Sequence, residues 1–247
     1  MRRLLLSLAV CCGGMALWSA AAGGQSAPAA AAGASGPLVQ RGAALFAQGC
    51  ASCHGADLRG RPGQGPSLRG AGAAAADFYL STGRMPIADP KIEPERAKPA
   101  YPRADIDALV AYVGSFGGPA VPRVDPRRGR LPAGLEAFTE NCAGCHQVAG
   151  RGGIVTGAAV PPLQDSTPTQ IAEAIRVGPY LMPKFSERQI DATKLADISR
   201  YVVSTRHLDD RGGWGIGHIG PIPEGMIAWL LAGLVLVGVA RAIGDRA

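Results

Sequence analysis

Aromatic side chains are scarce in this chain: three Trp, five Tyr and five Phe among 247 residues. Aromatics supply much of the buried area of an ordinary core. A chain this poor in them, carrying 35 Gly and 20 Pro, is not expected to build one large core or an extended β-sheet. Small domains stabilised by something besides their own side chains fit better. Charge is also sparse, at 18% of residues, with 25 Lys+Arg against 19 Asp+Glu and a formal net charge of +6. No basic run carries interleaved aromatics, so nucleic acid is excluded as an expected partner. The local excess at Arg123, Arg127, Arg128 and Arg130 reads as a solvated linker. Six Cys, five Met and four His are few enough for the position of each to be informative.

The two ends address a membrane. Met1-Arg2-Arg3 is followed by an uncharged apolar run and then Ser19-Ala20-Ala21-Ala22, so residues 1–22 read as a signal peptide or an N-terminal anchor. Cys11 and Cys12 fall inside that segment as apolar filler. Residues 23–36 are Ala/Gly/Ser-rich and aperiodic, which describes a flexible tether. At the other end, Gly225 to Ala240 carries no charge, and Ala242-Ile243 extend the apolar stretch past a snorkelling Arg241. Residues 225–243 are therefore expected to span a membrane, with 207–224 as a Gly-rich neck and 244–247 as a tail. Arg241 and Arg246 place that tail in the cytoplasm and the bulk of the chain on the extracytoplasmic side.

The remaining four cysteines form two matched motifs, Cys50-Ala51-Ser52-Cys53-His54 and Cys142-Ala143-Gly144-Cys145-His146. C-x-x-C-H is the attachment signature of c-type haem. Two thiols three residues apart on one helical turn can each form a thioether with a haem vinyl group, and the adjacent His then faces the iron. A zinc half-site or a redox dithiol is the competing reading of one such motif. Two copies with matching flanks, and no further Cys to complete a zinc site, count against it.

The flanks repeat as well. Gly42, Phe46 and Cys50 are spaced four apart, as are Gly134, Phe138 and Cys142, so each copy is expected to open with a helix presenting Gly and Phe on one face. Each is expected to close with an amphipathic helix, through Ile106, Leu109, Val110 and Val113 in one and Leu195, Ile198 and Val202 in the other. Tyr112 and Tyr201 hold equivalent places, and Ser186 with Gln189 reads as a capping box near the second closing helix. The expected fold is mainly α, with haem domains at 37–118 and 133–206 joined by a basic linker at 119–132.

Elimination points to the sixth iron ligand. Met1, Met15 and Met226 lie in the terminal segments, which leaves Met85 and Met182, one per repeat and each followed by Pro. Bis-His ligation is the competitor, but His207 and His218 both follow the second unit. His54/Met85 and His146/Met182 would raise the haem potential and leave no open coordination site, which suits electron transfer. A dihaem enzyme such as a peroxidase needs an exchangeable sixth ligand, and two equivalent Met-Pro sites argue against it.

Gly65-Pro66-Ser67-Leu68 and Val160-Pro161-Pro162-Leu163 follow the motifs at comparable distances. This arrangement resembles class I cytochrome c, which implies that the carbonyls of Pro66 and Pro161 accept the second N–H of each motif His; an ordinary turn is the alternative. Over nearly the whole mature chain the sequence resembles the dihaem cytochrome c subunit of the actinobacterial quinol–cytochrome c reductase, the cytochrome bcc complex. Residues 81–86 (Ser-Thr-Gly-Arg-Met-Pro), 182–186 (Met-Pro-Lys-Phe-Ser) and 220–226 (Gly-Pro-Ile-Pro-Glu-Gly-Met) carry that resemblance. It implies two covalently bound haem c groups and partnership with a cytochrome b subunit, a Rieske iron–sulfur subunit and a haem-copper terminal oxidase. The chain would carry electrons from the Rieske centre within a proton-translocating, menaquinol-oxidising complex and have no quinol site of its own. From the residues alone, a membrane-anchored dihaem subunit of a periplasmic dehydrogenase or of another oxidase remains the alternative.

Overall fold

The computed structural model describes residues 36–206 and 221–244. The expected signal or anchor (1–22), most of the tether and neck, His207, His218 and most of the tail lie outside the described residues. The first helix, α1 (Pro37–Gly49), begins with Pro in its first turn, where a missing N–H costs nothing. It runs into a single turn, α2 (Ala51–His54), with Cys50 at the junction. Then come α3 (Gly72–Ser81) and α4 (Arg103–Gly114). The second unit repeats the order with α5 (Leu131–Asn141), the short turn α6 (Ala143–His146), α7 (Pro168–Val177) and α8 (Ala192–Ser204).

The opening and closing helices of each unit pack together through the glycines singled out by their spacing. A Cβ on Gly42 would overlap the carbonyl oxygen of Ala108 in α4, and a Cβ on Gly134 would overlap that of Asp197 in α8. Beside each crossing a Phe meets a Tyr: Phe46 with Tyr112 at 5.4 Å between centroids, Phe138 with Tyr201 at 5.2 Å, both tilted by about 50°. Phe46, Ile106, Leu109 and Val113 are buried in the first core; Phe138, Leu195, Ile198 and Val202 are buried in the second. Val110 is only partly buried, at the edge of its stripe.

Three local expectations change. Ser186 and Gln189 do bond, Ser186 N–H to Gln189 Oε1 at 2.9 Å, but on a turn that precedes α8. The N-cap of α8 is Asp191, whose carboxylate accepts from Lys194 N–H at 2.8 Å. The reciprocal capping box belongs to α7, between Thr167 and Gln170. Secondly, the segment after the second motif forms an antiparallel hairpin, β1 (Gly153–Val155) with β2 (Ala158–Val160). The first unit has only a bridge between Arg61 and Gly65 at that place, because its loop is three residues shorter. Thirdly, the basic linker is docked. Ala74 N–H donates to the Pro119 carbonyl, Val124 packs on the second core, and Arg130 N–H donates to buried Asp197 at 2.6 Å. Its guanidinium groups remain largely in solvent, and α5 starts two residues before the expected boundary.

The two units touch through α3 and α7. Arg96 donates to Gln170 Oε1 at 2.9 Å, and Gln170 donates to Ser81 Oγ at 3.1 Å. Buried Glu173 of α7 faces Asp77 of α3, which is bound to Arg103 at 2.7 Å. The last helix, α9 (Pro221–Gly244), starts within the segment expected as neck. From Gly225 to Gly244 it has a mean hydropathy of 2.2 over 20 residues, about 30 Å of helix, enough to cross a membrane. Its apolar side chains are exposed, Trp229 and Leu234 among them.

Candidate haem sites

Each C-x-x-C-H is wound by the same backbone bonds. Cys50 N–H donates to Phe46 O at 2.9 Å and His54 N–H to Cys50 O at 3.0 Å; Cys142 N–H donates to Phe138 O at 2.8 Å and His146 N–H to Cys142 O at 2.9 Å. The chain leaves the opening helix and immediately starts another turn, so both thiols and the His share one short helical segment.

The expected proline contacts are present as geometry. His54 Nδ1 lies 2.8 Å from Pro66 O, and His146 Nδ1 lies 3.3 Å from Pro161 O. With Nδ1–H donating, Nε2 keeps its lone pair for a metal. Glycines make the approach possible. A Cβ on Gly65 would stand 3.1 Å from His54 Nδ1, and one on Gly152, at φ +71°, would stand 2.7 Å from the Pro161 carbonyl carbon. Both loops are closed by equivalent bonds, Gly60 N–H to His54 O and Gly152 N–H to His146 O, then Leu68 N–H to Leu58 O and Leu163 N–H to Gly150 O.

Met85 and Cys50 pack against the first core, and Met182 and Cys142 against the second. In the second unit Cys142, Cys145, His146, Pro161 and Met182 line one cavity, whose other walls are mostly aliphatic. Burial pushes the Cys142 thiol up to about 11, with the neighbouring Cys145 adding to it, and pushes Cys50 up for the same reasons. A reactive dithiol needs the opposite, a stabilised thiolate. A thioether is neutral and suits this burial. Burial also holds His146 below the usual imidazole range, against the opposing pull of its bond to Pro161. It is therefore neutral, as a metal-bound imidazole must be. This donor set, a largely apolar cavity with two thiols, a neutral His and a thioether sulfur, fits a covalently bound haem.

Phe78, Tyr79, Arg84 and Arg96, all from the first unit and none expected there from the sequence, also line the second cavity. Nothing in the spacing of either repeat points to this, because it arises from the docking of α3 on α7.

The repeated helical architecture and its motifs define a tandem c-type cytochrome, with two domains each taking a covalent haem c. Residues 39–116 match the Cytochrome c family, and residues 129–202 match the family described as Cytochrome C oxidase, cbb3-type, subunit III. The chain is 40% identical over 222 residues to the cytochrome bc1 complex cytochrome c subunit of Mycobacterium tuberculosis (strain ATCC 25618 / H37Rv), covering 86% of this chain and 79% of the relative. It is 36% identical over 230 residues to the protein of the same name from Corynebacterium diphtheriae, covering 85% and 81%. A weaker likeness, 29% over 184 residues and 65% of this chain, runs to a cbb3-type cytochrome c oxidase subunit of Azospirillum sp. (strain B510), 60% of which is covered. The chain belongs to the family of cytochrome bc1 complex cytochrome c subunits.

Proposed function

We propose that this chain is the dihaem electron-transfer subunit of a menaquinol–cytochrome c reductase, accepting electrons from a Rieske iron–sulfur subunit and delivering them to a haem-copper terminal oxidase. Residues 37–118 form one haem domain and residues 133–206 the other. Cys50 and Cys53, and Cys142 and Cys145, anchor the two groups through thioethers. His54 with Met85, and His146 with Met182, hold the irons from their two sides. Pro66 and Pro161 orient the histidines by accepting their Nδ1 protons. When bound, each haem supplies a one-electron iron couple, and His/Met ligation keeps that couple at high potential with no open position.

The observation that carries this reading is the coincidence, in both repeats, of the attachment motif, a proline carbonyl on His Nδ1 and one Met on the same core. The family relationship extends it to the complex, with a cytochrome b subunit as membrane partner. The apolar helix α9 anchors the chain, and Arg241 at its end puts the C-terminus in the cytoplasm and both haem domains outside.

The test is copurification from native membranes. Cytochrome b and Rieske subunits are expected with the chain, together with a haem-copper oxidase. The likeness to the Azospirillum oxidase subunit favours a second reading, and copurification with an oxidase core alone would establish that instead. The ligand assignment is tested separately: Met85→Ala and Met182→Ala should each leave two haems attached and open one of them to CO.

A further inference from the structure

The second cavity is completed by the first domain, and the way it is completed is chemically specific. Its lining contains two guanidinium groups, Arg84 and Arg96, and no Lys or Arg from the second domain. Arg176, the cation on α7, is directed elsewhere, to the carbonyls of Phe185, Ser186 and Ile190. Arg84 and Arg96 are brought to one place by a tight fold of the intervening loop. Ala97 N–H donates to Thr82 O at 3.0 Å, and a Cβ on Gly83, at φ +68°, would overlap the Ala97 carbonyl.

Each arginine is held. Arg84 lies over the Phe78 ring at 5.1 Å, and Arg96 is bonded across the domain boundary to Gln170 and Ser166. Neither forms a salt bridge among the described residues, and Arg84 Nη1 is buried with no hydrogen-bond acceptor. Glu93, also on the lining, lies beyond salt-bridge range of both. A partly buried Arg84 with an unfilled donor, beside the like charge of an exposed Arg96, is what a pair of carboxylates would satisfy. A haem attached through its vinyl groups and ligated at iron has just those polar groups left, its two propionates.

We propose that Arg84 and Arg96 of the first domain receive the propionates of the haem held by the second domain, so that the second site is completed by its neighbour. This rests on Cys142, Cys145, His146 and Met182 holding that haem. Propionate charge favours ferric over ferrous iron, and two cations beside it would offset that preference, so losing either cation lowers the potential of the second haem and leaves that of the first in place.

The test is a redox titration of the purified full chain carrying Arg84→Gln, Arg96→Gln, Arg84→Lys or Arg96→Lys. Adding CO to the Met182→Ala background locks the second haem reduced, so the surviving wave belongs to the first. Both Gln variants should keep two haems and move the second wave to lower potential, with the first wave in place; the Lys variants should restore much of the shift. An unmoved second wave in both Gln variants overturns the proposal, as does a shift confined to the first wave. If Met182→Ala binds no CO, the ligand assignment itself fails and this proposal with it; CO binding with an unmoved second wave defeats the arginine proposal alone.

Discussion

Gly134 of α5 lies directly against the backbone carbonyl of Asp197 in α8, leaving no space for a side chain, and Gly42 stands in the same relation to Ala108 in the first unit. The contact is backbone to backbone, so neither partner can rotate away. Gly42→Ala and Gly134→Ala should each force their helix pair apart and cost about 1–3 kcal/mol, the range for overpacking. Gly225→Ala, a position with nothing near it, is the comparison. Thermal unfolding followed by haem absorbance checks this; an unchanged melting temperature in Gly134→Ala would contradict the packing.

The Pro161 contact should be separable from simple backbone strain. Gly152→Ala places a methyl against the Pro161 carbonyl carbon, whereas Gly63, also at φ +71°, has open space around it. Both substitutions incur the left-handed penalty of about 1–2 kcal/mol. Only Gly152→Ala should displace the carbonyl from His146. The His146 Nδ1 proton, followed by NMR, should exchange with water much faster in Gly152→Ala and be unaffected in Gly63→Ala.

Glu173 makes the domain boundary pH-sensitive. Burial, then the charge of Asp77, push its carboxyl from 4.5 up to about 9. Its oxygens have no hydrogen-bond partner, so no donor stabilises the ionised carboxylate. The folded state therefore binds a proton that the unfolded chain has lost, and stability falls as pH rises from about 4.5 to about 9. The slope from this one group is at most about 1.4 kcal/mol per pH unit. Glu173→Gln removes the titration. Hydrogen exchange in α3 and α7 should slow in Glu173→Gln at pH 8 and match the wild type at pH 5.

Ending the chain after Arg211 removes α9 and leaves both cores, both motifs and both Met residues intact. The truncated chain should retain two haems, leave the membrane fraction and fail to support menaquinol-dependent respiration. Haem staining after denaturing electrophoresis, fractionation and respiration assays check the three parts. Retention in membranes with full respiration would show that α9 is dispensable.

Much of the site was legible because its chemistry is local. The thiols and His of each motif are bound to one helical turn by covalent spacing, and the two Met-Pro pairs are marked by the scarcity of methionine. Phe46 and Phe138, Gly42 and Gly134, and the closing stripes of α4 and α8 could be read from helical periodicity, since a 3.6-residue repeat decides which face is buried. Even Pro66 and Pro161 could be placed, although only the folded loops, narrowed at Gly65 and Gly152, bring their carbonyls within 2.8 and 3.3 Å of the imidazoles.

The relation between the domains was not legible. Ser81, Arg96 and Gln170 are 15 to 89 residues apart, and no periodicity connects them; their bonds exist because α3 of one domain packs against α7 of the other. The same encounter put Arg84 beside the second cavity and buried Glu173 against Asp77, changing what each charge does. The Ser186–Gln189 pair shows the limit from the other side: its residue types suit a cap, but Asp191 lies nearer the first free N–H groups of α8 and takes the role. Local spacing determined that this chain has two haem-attachment motifs. Tertiary packing alone decided what lies between them, because the energy of a buried charge depends on neighbours that the chain reaches only after it has folded.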